Sequence, residues 1–379
     1  MTDDAGVYIH IPFCRSRCAY CGFYSIGQRP TDRFIDALHR EMESYAKQFH
    51  NTRFDTVYLG GGTPSVLSPK QLTRIMSGLR QYFNISRDAE ITMEMNPSDM
   101  SEEYLMAAKA EGINRISIGV QTPDNRLLKK LGRDHTGAEA KERIRLAHKL
   151  GFKNISIDLM YELPGQSALD FHKSLLWAVH LPVNHVSVYS LILEEGTRFY
   201  QMNERHILAR PTEEESWSMY QDMIRVLAHY GFERYEISSF ARKGYRSRHN
   251  RKYWKLGTYL GLGPAACSRI GHRRLENHPG VRSYENTLLS NGKLPVQAID
   301  LSQEEEIEEY CFLHLRMREG IRICEFEHRY KSTLAHWYGD KIHALIRRGL
   351  LCRHGGYLSL TYKGAALGNY VFGEFLMEH

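Results

Sequence analysis

The chain has 379 residues, 42% hydrophobic and 25% charged, which is ordinary for a globular protein and long enough for one large α/β domain and a smaller second one. Seven cysteines are too few for a disulfide scaffold, and three of them within eight residues point to chemistry in a reducing compartment. No apolar stretch reaches membrane-spanning length and no leader precedes the first strand, so the expected location is cytoplasmic. Strands are expected at residues 7–11 (VYIHI), 55–59, 90–95, 115–120, 154–159 and 185–190, where short β-branched runs recur. Between and after them, helices are expected at about 31–49, 69–82, 101–111, 137–150, 168–180 and 213–230. In the first helix Phe34, Leu38, Met42, Tyr45 and Phe49 give one apolar face, and Thr212 with Glu215 forms a capping box at the last.

This alternation predicts parallel strands covered by helices, six units against the eight of a closed barrel. The expected fold is therefore α/β, an open partial (β/α)6 TIM-like barrel over residues 1–238, with a flat doubly wound sheet as the other arrangement of six units. Residues 239–300 read as a Gly- and Arg-rich extension with little helical period. Residues 301–379 read as a smaller α+β, winged-helix-like domain. Its helices are expected at about 303–318, 324–337, 340–349 and 362–376, with a hairpin around Gly355-Gly356. The block 242–255 carries seven Lys or Arg residues and no acidic one. No nucleic-acid module accompanies it, so an anionic small ligand is preferred to RNA or DNA.

The sharpest chemical signal is Cys14, Cys18 and Cys21, a C-x3-C-x2-C cluster. Three thiolates can hold three irons of a four-iron four-sulfur (4Fe-4S) cluster and leave the fourth open. Zinc, with His10 or a distant group completing its shell, and thiols that merely share a turn are the other readings. Gly60-Gly61-Gly62 after the second strand can expose backbone to a ligand or serve as a tight βα turn. It matches neither a dinucleotide nor a Walker pattern.

CRSRCAYC, the LGGGTPS run at 59–65, EMNPSD at 94–99, GVQT at 119–122, GRDH at 132–135 and DLMYELPGQ at 158–166 together resemble the radical S-adenosylmethionine (radical SAM) superfamily, in the branch of the oxygen-independent coproporphyrinogen dehydrogenases. The resemblance spans nearly the whole chain. It implies a cluster on the three cysteines, with S-adenosylmethionine chelating the open iron. It places Gly61, Gly62 and Thr63 at the methionine end of that cofactor and Glu94 and Arg133 on its charged groups. Gln121 would hydrogen-bond nearby, Asp158 would meet the ribose, and Tyr8 and Tyr20 would border cluster and cofactor.

Two departures count against porphyrinogen decarboxylation: Phe23 stands where the dehydrogenases carry a further cysteine, and Val7 already lies in the first strand, leaving no room for their N-terminal extension. Both features resemble instead the haem chaperone family, HemW, as does HNRKYW at residues 249–254. In that family a histidine usually occupies the place of Cys267, which is thus a second candidate haem contact or a small packing residue. This resemblance implies haem as cargo, His249 as candidate iron ligand, and an acceptor protein, for example a respiratory one. Self-association as a homodimer is a further expectation. An active radical enzyme on a tetrapyrrole, or a related methyltransferase, is the competing reading, and no catalytic residue is singled out.

Overall fold

The computed structural model describes residues 4–377. Six strands, β1 (Ala5–Ile11), β2 (Arg53–Gly61), β3 (Asn84–Met95), β4 (Arg115–Gln121), β5 (Asn154–Tyr161) and β6 (His185–Ser190), pair in parallel and in chain order. All six expected strands are present, each reaching at least as far as its apolar run. The sheet then continues past both edges. Beyond β6 lie β7 (Glu233–Arg234) and β8 (Ser239–Ala241), with β8 antiparallel to β6. On the other side β9 (Tyr259–Leu262) runs parallel to β1. It is followed outward by β10 (Cys267–Ile270), β11 (Arg273–Asn277) and β12 (Val296–Asp300). The stretch expected to lack helical period contains two helices, Arg248–Trp254 and Val281–Leu289.

Parallel strands need crossovers, and the helices supply them while covering one sheet face. Val7, Ile9 and Ile11 of β1 bury against the same apolar cluster as Phe34, Leu38 and Met42 of the helix Asp32–Ala46. Helix starts are fixed by local chemistry: complete capping boxes form at Ser68/Gln71, Ser167/Asp170, Thr212/Glu215 and Ser302/Glu305. The opposite sheet face is polar. Tyr8 and His10 of β1, Thr56 and Tyr58 of β2, Glu90 and Glu94 of β3 and Arg115 of β4 lie among the part-buried or buried polar groups of the curved sheet. A six-stranded curve too open to fill itself with aliphatic side chains leaves room there for polar ones and for a ligand.

A second apolar core, including Ile307, Cys311, Phe326, Ile342, Leu358 and Phe375, organises the C-terminal α+β part. It holds a separate sheet of β13 (Ile321–Arg322), β14 (Leu351–His354) and β15 (Tyr357–Leu360). The expected hairpin is β14–β15, turning through Gly355 (φ 56°) and Gly356 (φ 81°), two successive positive φ values that glycine alone adopts without strain. The final helix is broken in two, Tyr362–Ala366 and Gly368–Gly373, at the non-helical Leu367.

Candidate functional site

Strands end where ligands gather in parallel α/β sheets, and here those ends enclose a cavity of about 590 Å³. Its wall includes Cys14, Cys18, Cys21, Tyr20, Gly61, Gly62, Thr63, Glu94, Gln121, Arg133 and Asp158. Eleven residues singled out from separate motifs thus face one space.

The cysteine loop is strapped from several directions. Cys14 N–H donates to the Ile26 carbonyl (3.0 Å), Ala19 N–H to Leu131 (3.0 Å), and Phe199 N–H to Ala19 (2.9 Å). Gly62 and Thr63 close on the same segment, their N–H groups donating to Ile11 (2.9 Å) and Phe13 (2.8 Å). A Cβ on Gly62 would lie 2.7 Å from the Phe13 carbonyl oxygen, so this approach requires glycine. Thr63 Oγ1 donates to Cys14 Sγ (3.4 Å) and Arg133 Nη1 to Cys18 Sγ (3.6 Å). Arg15 is committed elsewhere, in a 2.5 Å ion pair with Asp99.

The carboxylates are poised near neutrality. Burial lifts Glu94 to about 7 against hydrogen bonds from Tyr58 (2.8 Å) and the Gly61 N–H (3.3 Å). Burial likewise lifts Asp158 to about 6, opposed by Ser187 and by Arg115. Arg133 donates to Asn96 Oδ1 (2.6 Å) and to the Gly119 carbonyl (2.5 Å), while its buried Nε has no partner. Burial works against its charge, but Tyr20 and Cys18 beside it hold the guanidinium protonated. Gln121 sits in the left-handed region (φ 66°) at a bulge that ends β4 and turns the chain at the cavity wall. Burial also raises the Cys21 thiol.

Among the described residues no three His, Cys, Asp or Glu side chains converge to hold one metal ion. A 4Fe-4S cluster asks instead for one thiolate per iron. Three thiols lining one cavity, donors on two of them and an orphaned guanidinium nitrogen of Arg133 beside them fit a cluster with an anionic ligand next to it.

Two singled-out residues lie elsewhere. Tyr8 turns to a second cavity of about 490 Å³, its hydroxyl 3.1 Å from His10 Nδ1. His249 is wholly buried, with Thr56 Oγ1 2.9 Å from Nδ1, Tyr253 Oη 2.7 Å from Nε2 and Tyr58 stacked on its ring. Burial lowers its pKa to about 3. Both ring nitrogens are engaged, so in this conformation His249 offers no lone pair to iron. Part of the basic block is paired: Arg248 and Lys252 share Asp55, Arg246 meets Glu233, and Arg251 meets Glu319, three carboxylates against seven cations. Asn96, Tyr189 and Ile192 also line the first cavity without having been singled out. Asn96 lay within the quoted EMNPSD motif, whereas Tyr189 and Ile192 carried no signal beyond their place at the end of β6 and just after it.

The second cavity joins pieces distant in sequence: Tyr8, Tyr24, Tyr253, Trp254, Tyr259 and Cys267, with Arg269, Arg274 and Glu309 along one side. Gly22 and Phe23 border both cavities, and Phe23 is 71% exposed.

Profiles of known families match two segments, the radical SAM superfamily over residues 8–178 and the HemN C-terminal domain over residues 301–367. A Lactococcus lactis protein described as heme chaperone HemW is 37% identical over 98% of this chain and 97% of its own length. A Bacillus subtilis protein of the same description is also 37% identical, over 98% and 99%. Coproporphyrinogen III oxidase (HemN) from Escherichia coli superposes with a TM-score of 0.86 at 24% identity, covering 99% of this chain and 90% of that one. Fold, cysteine spacing and near full-length similarity agree: the chain belongs to the radical SAM superfamily and, within its coproporphyrinogen-oxidase-like branch, to the HemW family.

Proposed function

We propose that the protein binds haem and passes it to an acceptor protein, on a scaffold that carries a 4Fe-4S cluster and S-adenosylmethionine. The observation that carries this reading is near full-length similarity to proteins described as haem chaperones. The exposed phenyl ring of Phe23 at the cavity mouth adds support, because it offers no thiol there. Cys14, Cys18 and Cys21 would each hold one iron. Glu94 and Arg133 would take the ammonium and carboxylate of the cofactor, Gly61, Gly62 and Thr63 its methionine end, and Gln121 and Asp158 its nucleoside part. When bound, cluster and cofactor supply one-electron chemistry at a sulfonium. The protein's own residues position the charged ends and keep water from the sulfurs, with Tyr20 packed beside Cys18. The setting we propose is cytoplasmic, with a haem protein such as a respiratory one as acceptor. Among the described residues no helix is long and apolar enough to cross a membrane.

The test is a haem titration of anaerobically reconstituted protein, followed by mixing with a haem-free cytochrome. Saturation near one haem per chain and transfer of the Soret band to the cytochrome are expected. No saturable haem binding overturns the proposal. The cavity at the strand ends favours one second reading, an active radical enzyme, because every residue expected to meet S-adenosylmethionine except Tyr8 lines it. Formation of 5′-deoxyadenosine only on addition of coproporphyrinogen would establish that reading instead.

A further inference from the structure

The second cavity has the chemistry of a site for a flat, apolar, carboxylate-bearing macrocycle. Tyr24, Tyr253, Trp254 and Tyr259 offer ring faces, and Tyr253 and Tyr259 are fixed edge to face with centroids 4.6 Å apart. Its volume of about 490 Å³ lies within the range of ligand pockets. Besides its tyrosines, two side chains on its wall can ligate iron, His10 and Cys267. His10 is spent: Nδ1 is 3.1 Å from the Tyr8 hydroxyl and Nε2 3.0 Å from the Tyr24 carbonyl. Cys267, on β10, is exposed and free, and its sulfur has no hydrogen-bond partner among the described residues.

An independent observation lies two residues along the same strand. Arg269 is 3% exposed, yet its Nε and Nη2 lack hydrogen-bond partners, Nη2 standing 3.8 Å from Glu306. Arg269 and Arg274 share the single carboxylate of Glu309, and Glu306 is shared between Arg269 and Arg329. This network holds one more cation than anion. Buried guanidinium donors left without partners beside an apolar cavity call for an incoming carboxylate.

We propose that this second cavity is the haem site, with Cys267 as iron ligand, the aromatic rings against the macrocycle and the haem carboxylates at the Arg269–Arg274 edge. The inference rests on the haem reading above and specifies where and through which atom the haem is held. On binding, the Cys267 S–H bond breaks and a sulfur–iron bond forms. A water leaves the ferric iron, the thiol proton passes to solvent, and no electron is transferred. Coordination to the ferric iron favours the thiolate.

The experiment titrates hemin into the cluster-reconstituted full chain, wild type beside C267S and R274E. It reads affinity, the Soret band, the ferrous carbon monoxide adduct and low-temperature electron paramagnetic resonance. The wild type is expected to show a thiolate-ligated ferric haem. C267S is expected to lose that signature and bind about tenfold more weakly, which is about 1.4 kcal/mol. R274E is expected to lower affinity while keeping the thiolate spectrum, which separates site from ligand if C267S folds poorly. Haem bound by wild type and C267S with the same spectrum and affinity overturns this assignment and leaves the haem reading standing. No saturable haem on the wild type overturns both.

Discussion

At the scale of single residues, two positions make the cysteine cavity testable. Gly62 lies where any Cβ would meet three backbone atoms, the Ile11 and Phe13 carbonyls and the Phe13 nitrogen, within 2.9 Å. Backbone cannot yield as a flexible side chain would, so Gly62→Ala is expected to displace the cysteine loop. Iron and sulfide per chain after reconstitution should fall well below wild type while far-ultraviolet circular dichroism stays unchanged. Glu94 gives the second test. With its carboxyl raised to about 7 by burial, the free protein holds it largely protonated below that pH. A ligand that presents an ammonium group favours the ionised form, so binding releases a proton and affinity rises with pH up to about 7 and then levels. Calorimetric titration with S-adenosylmethionine across pH 6–8 should show this rise, and Glu94→Gln should flatten it and weaken binding throughout. The sign for stability without ligand runs the other way. A carboxyl whose folded pKa lies above its unfolded value stabilises the fold at low pH and loses that contribution as pH climbs from about 4.5 to about 7.

At the scale of elements, two buried polar groups join parts far apart in the chain. Glu41, on the helix Asp32–Ala46, accepts from Tyr284 Oη (2.5 Å), Asn277 Nδ2 (2.6 Å) and the Gly263 N–H (2.7 Å). Glu41→Ala strands three buried donors and is expected to cost about 3 kcal/mol or more, read as a lower urea midpoint at unchanged slope. His249 joins β2 to the helix Arg248–Trp254, whose first N–H groups donate to Glu90 at 2.9 and 3.1 Å. His249→Ala is accordingly expected to destabilise the fold by about 2–4 kcal/mol while leaving the haem spectrum of the remaining folded protein unchanged. This contrast also shows what the sequence could tell. The period of apolar residues and the capping boxes made β1–β6 and the large helices legible, because each is determined locally. The helix Asn125–Leu131 lay hidden in a seven-residue run, and β9–β12 are short and held by pairing with β1 and with one another rather than by alternation. The break expected between the helices at 324–337 and 340–349 is present as a kink at Tyr338 (φ −137°, ψ 19°), and a further break lies at Lys331, in left-handed conformation before the cap at Thr333. Motifs brought the cysteine cavity together on paper because each sits at a strand end. Of the partners of His249, Tyr253 lies four residues on in the same HNRKYW motif, whereas Thr56 comes from β2 and from no pattern that a linear reading contains.

Over the whole molecule, two apolar cores with no residue in common are joined by polar contacts and by the packing of Tyr362 on Trp217 and Tyr220. Glu236 meets Arg316 at 3.3 Å, Ile237 N–H donates to the Arg316 carbonyl at 3.1 Å, and Glu309 gathers Arg269 and Arg274 from the barrel extension. Glu309 carries both arginine contacts in a buried setting, so removing it leaves two cations facing each other. Glu309→Ala is expected to split thermal unfolding into two transitions, the lower one belonging to residues 301–379, where the wild type shows one. Limited proteolysis of the variant should release that segment first, and a single unshifted transition would refute the division.

The strip Gly22–Phe23 is a party wall between the two cavities, with its phenyl ring mostly bare. An occupant of either chamber that shifts this wall changes the room left in the other, and thermodynamics then imposes a symmetry. Whatever factor S-adenosylmethionine imposes on affinity for the second chamber's occupant, that occupant imposes on affinity for S-adenosylmethionine. Loading and release of cargo would thus be set by the concentration of a small metabolite, with no chemical step consumed in the exchange.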